Sequence, residues 1–391
     1  MEIEMSKSEK QNPAFPGLPV ITGRYGVGIE IYDANTGKLI WNWTGQDASD
    51  ALQGELYVQL RNAILDKNGN IKGEVTDAKF ADGGSKIVAI IADAAVVINC
   101  KDKSIHFGIY REWAKGSLLG AMHSLEMLPD NNLAIATDLK EWDDSRKSEP
   151  RKPGVAVYDM GPAVLPDSAP RRMEGYNLSS CHALVWDESQ QILWAAGTSK
   201  WPANPSDKVY TRLVGYHYSR DALTQTDTDV HEFPSASLGK SDPAYSNWVE
   251  GGHDLVPVPN ERRLIVTTDI DLYEYDLEAG SFYKFEDFTA SVKAYFSNYE
   301  CPVEARKISG FPRSAMKSLR LSKNGLGVHT QSNWRGTDSY LDEGDHTQQV
   351  YFFGVDAPDN LDFRKFGANG WIYKARWFDE VPGWLSAGMK E

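Results

Sequence analysis

Three histidines stand at matching places in this chain. Each heads a short apolar run that is followed by a tight turn and a second run. His123 leads Ser-Leu-Glu-Met-Leu, His182 leads Ala-Leu-Val-Trp, and His253 leads Asp-Leu-Val-Pro. Lys317 (before Ser-Leu-Arg-Leu), Lys374 (before Ala-Arg-Trp-Phe) and Asp77 (before Ala-Lys-Phe) head comparable runs. A lone histidine in such a place is more often structural than functional, but three in one register beside two lysines are harder to read that way. A neutral imidazole can take a proton from the carbon next to a carboxylate if cations stabilise the enolate-like charge that develops. Lysine charges also disfavour the imidazolium form, keeping a base available near neutral pH. That is the chemistry of a uronate lyase: the proton leaves carbon 5, then the group on carbon 4 departs. The rival chemistry is one divalent transition metal held by His123, His182 and His253, since three convergent histidines are a common zinc or manganese set. Lysines beside such an ion are electrostatically awkward, so the reading without a cofactor ranks first. No serine-nucleophile motif, P-loop or Rossmann glycine pattern is present.

The runs recur at a spacing of roughly 45 to 70 residues, the mark of an all-β, single β-propeller. Five blades are expected at about 75–112, 122–173, 181–234, 252–288 and 316–366. A sixth joins three strands near the N-terminus (Pro19–Gly23, Gly28–Tyr32, Lys38–Trp43) to Trp371–Phe378 at the other end, closing the ring and leaving no long open edge. The alternative is seven blades, the extra one irregular and lying within 46–72 or 289–315. Leu52, Leu56, Leu60 and Ile64, spaced by four, predict a helix over Ala51–Leu65, inserted against the ring. Residues 1–16 are polar, with two prolines, and are expected to be disordered or draped on the surface; residues 17–391 form the propeller domain.

Connection lengths separate the two faces. Turns between first and second strands and between third and fourth strands are short, whereas several connections on the opposite face are long: Lys140–Pro153, Lys200–Lys208, Pro234–Gly251, Phe288–Ala315 and Trp334–Thr347. Loops of that length usually carry function or are disordered. The inner strands begin on this face, so the three histidines are expected to converge on one side of the channel mouth. Lys317, Lys374 and Asp77 would complete the circle, all facing a water-filled funnel. Around them the sequence supplies Arg24 and Tyr25, Lys140 and Trp142, Lys200 and Trp201, Tyr245 and Trp248, and Trp334 and Arg335. Aromatic faces stack on sugar C–H surfaces and cations pair with carboxylates, a combination that suits an acidic oligosaccharide or polysaccharide.

Composition narrows the partners. A net charge of −14 argues against nucleic acid, which needs a basic field. No apolar run is long enough to span a bilayer, and a monomer without membrane contact is expected. Cys100, Cys181 and Cys301 are an odd number without metal-ligand spacing, so at least one is a free thiol. The charged first ten residues lack the apolar stretch of a secretory leader, which points to the cytoplasm if the chain is complete.

The phrases Met-His-Ser-Leu-Glu-Met-Leu-Pro-Asp-Asn-Asn, Cys-His-Ala-Leu-Val-Trp-Asp and Gly-Gly-His-Asp-Leu-Val-Pro-Val resemble those of a propeller family that includes fungal rhamnose-α-1,4-glucuronate lyases. The resemblance spans roughly residues 19–355. It implies cleavage of a terminal glycosyl-glucuronate, as on arabinogalactan side chains, with a channel-mouth histidine as both base and acid; His123 matches best. It also implies secretion and seven blades, from which this chain departs in both its N-terminus and its blade count.

Overall fold

The computed structural model describes residues 15, 17–110, 121–138, 154–161, 171–199, 210–233, 251–301, 312–332, 346–367 and 370–384. Six small antiparallel sheets stand in a ring, forming a six-bladed β-propeller. The first blade is built from both ends of the chain, with Ile372–Trp377 innermost, then Pro19–Arg24, Gly28–Asp33 and Lys38–Thr44. The inner strands of the second to sixth blades are Val75–Ala81, Ala121–Leu128, Ser179–Asp187, Gly252–Pro257 and Met316–Leu321. Each inner strand packs against those of the two neighbouring blades, and the sixth packs against Ile372–Trp377, so the ring is closed as the terminal strands predict. The fourth blade carries a fifth strand, Val230–Glu232, paired along Thr211–Ser219 beyond Ala222–Thr224.

The apolar residues of each strand fill the spaces between blades. Leu125, Leu184, Tyr158, Trp186 and Tyr216 share one such cluster, and Leu255, Tyr273, Phe233 and Trp384 another. Ring closure also has a polar component. Thr22 Oγ1 donates to the Lys374 carbonyl at 2.9 Å, Ser318 Oγ to that of Ala375 at 3.0 Å, and Thr330 Oγ1 to that of Tyr373 at 2.7 Å. The last strand is thereby sewn to its neighbours through backbone groups that would otherwise lack partners.

Among the described residues neither stretch proposed for a seventh blade forms one. Residues 46–72 are mainly helical, and 290–295 form a short helix, Ala290–Tyr295. The helix predicted over Ala51–Leu65 is two short ones, Gly45–Ala51 and Val58–Ile64. Gly54 divides them at φ +96°, a conformation that no helix contains and glycine adopts at little cost. Leu60 from the second of these seats against Gly108 of the second blade, where an added Cβ would lie 2.4 Å from its methyl group. No helix among the described residues is long and apolar enough to cross a membrane.

Candidate functional site

The inner strands share a local irregularity that decides what reaches the channel mouth. In the third blade Met122 pairs with Thr137 and Ser124 with Ala136, leaving His123 as an extra residue in a β-bulge. His253 occupies the same place between Gly252 and Asp254, and Lys317 between Met316 and Ser318. A bulge re-aims the side chain it inserts, which is why one register position delivers imidazole after imidazole to one spot. In the second blade that place is held by Thr76, between Val75 and Asp77. Asp77 therefore does not complete the circle of histidines: its pairing partner makes it the counterpart of Ser124, Asp254 and Ser318, one residue further along. Counting from the turn without the bulge misplaces it by one.

His123, His182 and His253 do come together. The His123 and His182 rings stack with centroids 3.9 Å apart and planes 19° from parallel, and the His253 ring meets His182 edge-on at 5.2 Å. His182 Nδ1 lies 2.6 Å from the Ser180 carbonyl oxygen, which can only accept, so the proton sits on Nδ1 and Nε2 keeps its lone pair. Burial, then the neighbouring His123 and His253 and, more weakly, Lys374, hold His182 well below the usual histidine range, while the Ser180 bond opposes them. His182 is thus a neutral base of fixed tautomer. Both ring nitrogens of His123 are covered from solvent, and as whole residues His123 and His182 are each half-buried. His253 Nε2 lies 2.6 Å from Asp269 Oδ1 and 3.1 Å from Lys317 Nζ. A carboxylate in that position orients an imidazole and stabilises its protonated form when one arises.

Next to the imidazoles, charged side chains join the inner strands of different blades. Lys374 Nζ crosses from the first blade to donate to the carbonyls of His123 at 3.1 Å and His182 at 2.9 Å. Arg376 donates to Asp77 at 3.0 and 3.3 Å and to Asp254 at 2.6 and 2.8 Å. Ser124 Oγ donates to Asp77 at 2.9 Å, and Lys79 Nζ to the Leu184 carbonyl at 2.8 Å. Burial would raise the Asp77 carboxyl, but Arg376, Lys374 and Lys79 outweigh it and hold it far below the usual carboxylate range. Lys374 pays for its position: burial pushes its ammonium down to about 8, against the pull of Asp77 and Asp254.

These contacts correct the expectation of a water-facing ring. Lys317 and Lys374 are each only 2 % exposed, and Asp77 1 %. A lysine that fastens two carbonyls, or lies against a histidine, is holding the protein together and is not reaching for a ligand. Arg24 is likewise committed, its guanidinium donating to Glu30 and to the Phe366 carbonyl, both at 2.8 Å. Tyr25 is exposed, with its ring edge-on to His346 at 6.4 Å. Trp142, Trp201, Trp248, Trp334 and Arg335 lie outside the described residues, as do Lys140, Lys200 and Tyr245.

The metal alternative does not fit this geometry. An ion bound by two imidazoles must lie in the plane of both rings at about 2.1 Å. Rings stacked as those of His123 and His182 are cannot meet that condition. Among the described residues no group of three or more His, Cys, Asp or Glu could hold a metal. Cys181, next in sequence to His182, is no nucleophile either, because burial pushes its thiol up to about 12.

The sequence reading missed Arg376, Asp254, Asp269 and Lys79, and for Arg376 a signal existed. Ile21 pairs with Arg376 as Ile135 does with Leu125, Val266 with Leu255 and His329 with Leu319. Arg376 is thus a cation at a register that other blades give to leucine.

No protein-family model matches the chain, and no curated protein is similar to it. Solved structures with a similar course of chain include a protein of unknown function from Bacteroides caccae, at 10% identity and TM-score 0.46, covering 92% of this chain and 98% of that one. A chain of the nidogen/laminin complex matches at 10% identity and TM-score 0.48, with the same coverage of 92% and 98%. The WD40 repeats of RRP9 match at 10% identity and TM-score 0.41, covering 80% of this chain and 68% of that one.

Proposed function

We propose that the channel mouth is the active site of a carbohydrate lyase acting on a terminal glycosyl-glucuronate, such as rhamnose-α-1,4-glucuronate. The observation that carries this reading is His182: a neutral imidazole, its tautomer fixed by Ser180, stacked on a second imidazole and beside a third that is backed by Asp269. In this reading His182 Nε2 takes the proton from carbon 5 of the uronate. The electrons of that C–H bond form the carbon 4–5 double bond, and the bond from carbon 4 to the glycosidic oxygen breaks. The oxygen leaves with the terminal sugar and takes back a proton, which the imidazolium formed on His182 supplies. The buried ammonium groups of Lys317, beside His253, and Lys374, on the carbonyls of His123 and His182, act on the developing negative charge from inside the protein, where a charge is screened less than in water. This assignment moves the base from His123, which the resemblance favours, to its stacked neighbour.

A second reading is favoured by a separate observation. Lys317 and Lys374 are turned inward and bring no ammonium to a ligand's carboxylate. A propeller that binds a glycan or protein at the same mouth, without turnover, would have no need of one there.

Incubation with gum arabic separates the readings. A lyase releases free sugar together with an unsaturated uronate that absorbs in the ultraviolet, and both products vanish in His182→Ala. Free sugar without the chromophore marks a hydrolase. Retention of the polysaccharide with no product supports the binding module.

A further inference from the structure

The Lys374 side chain travels further across the ring than its place in the sequence suggests. It belongs to the first blade, yet its ammonium bonds the backbone of the third and fourth, the fourth lying diametrically opposite. The two carbonyls it fastens belong to His123 and His182, the residues whose rings stack at 3.9 Å. Both stand in irregular stretches of strand, where pairing with the next strand lapses: His123 in a one-residue bulge, His182 at the end of the unpaired run between Ser179 and Ala183. Packing of Met122, Leu125, Cys181 and Leu184 sets the blades' general spacing, and an ammonium donating to both carbonyls adds a directed tie at the two histidines themselves.

We propose that Lys374 is the positioning residue of the imidazole pair, a strap from the chain's last strand that sets the distance between the third and fourth blades and thereby the stack and the aim of His182. It touches no substrate. Its place in the last strand makes the site complete only once the ring has closed, because the residue that aligns the histidines arrives with the strand that seals the first blade. Burial of a charge is costly, and an uncharged residue would fill the same space more cheaply. The two accepting carbonyls explain why a lysine stands there. The importance of the strap for turnover rests on the lyase reading; its effect on the stack does not.

The test is nuclear magnetic resonance of the full chain carrying labelled histidine, with Lys374→Met and Lys374→Arg variants. In the wild type the ring protons of His123 and His182 should be shifted upfield by the facing ring, with cross-relaxation between the two rings. Lys374→Met should abolish that cross-relaxation while the melting transition stays cooperative, and Lys374→Arg, which keeps the charge and donors, should restore it in part. On a substrate confirmed with the wild type, Lys374→Met should lower kcat by roughly 100-fold with little change in KM, the mark of misplacement and not of lost binding. A Met variant whose two rings keep their shifts and cross-relaxation overturns the proposal, whatever its activity. If that variant does not fold, the wild type decides: cross-relaxation from the Lys374 ammonium protons to the amides of Ser124 and Ala183 supports the strap, and its absence refutes it. Lost activity with an unchanged stack would count against Lys374 as a positioning residue and leave the lyase reading standing.

Discussion

Arg376 holds both carboxylate oxygens of Asp254 across two blade boundaries, at 2.6 and 2.8 Å, and on its other side holds Asp77. One guanidinium from the last strand thus joins the second and fifth blades through the centre of the ring. Both carboxylates have a further donor, Ser124 Oγ for Asp77 and the Leu319 backbone amide for Asp254, so the network meets the condition under which buried charge is tolerated. Arg376→Met should leave two buried carboxylates facing each other with their strongest partner gone. Removal of one partner from a buried pair costs about 3–5 kcal/mol. Urea unfolding should show that loss, and the double variant with Asp254→Asn should recover part of it. A loss below 1 kcal/mol would mean that the network contributes little.

Removal of residues 370–391 takes away the inner strand of the first blade together with Lys374 and Arg376. The ring then loses a strand, its closure and its central clasp at once. The expected outcome is loss of cooperative unfolding, far beyond the roughly 0.5–3 kcal/mol of one substitution. A soluble truncated chain with an unchanged melting temperature would show that ring closure matters little to stability.

The blade count, the closure by both termini and the meeting of His123, His182 and His253 were all legible, because each is written in a repeat whose register the eye can follow. What the sequence hid lies along directions that no repeat encodes. That Lys374 crosses the full width of the channel, or that Arg376 takes two aspartates from different blades, depends on side-chain length against ring diameter. The bulge at His123 and His253 hid the counterpart of these residues in the second blade, Thr76, because an extra residue in a strand leaves no trace in composition. The expectation that Lys317 and Lys374 meet water failed for a related reason: lysine is seldom buried, and only three-dimensional partners reveal when it is.

Acid should destabilise the protein chiefly through its neutral histidines. Burial lowers His329 from the usual 6.5 to about 3 and lowers His106, His182 and His231 as well. A folded pKa below the unfolded one means that the unfolded chain binds more protons between the two values. The stability these groups confer is therefore full above pH 6.5 and is lost as pH falls from there toward about 3 in the case of His329. His329 Nδ1 is buried without a hydrogen-bond partner, among the rings of Tyr351, Tyr299 and Phe353. His329→Phe should then be close to neutral at pH 7.5 and should flatten the fall in urea midpoint between pH 6.5 and 4 by the equivalent of a few kcal/mol. An unaltered pH slope in this variant would show that His329 titrates normally in the fold.

Leu125 lies two residues beyond His123 on the same inner strand, fully buried in the cluster between blades. Leu125→Ala should cost about 2–5 kcal/mol through the cavity it leaves, while activity per folded molecule stays near wild type. His182→Ala should do the reverse. The imidazole supplies the base and lies outside the apolar clusters between blades, and a general base is worth on the order of 10²–10⁴-fold in turnover. His123→Ala separates the two assignments. If His182 is the base, losing the stacked neighbour should misalign it and lower kcat less than His182→Ala does. If His123 is the base, as the resemblance implies, His123→Ala should be the more damaging of the two. Measured on a confirmed substrate, the order of these two variants assigns the proton transfer, and wild-type turnover in His123→Ala, His182→Ala and His253→Ala alike would remove catalysis from this ring altogether.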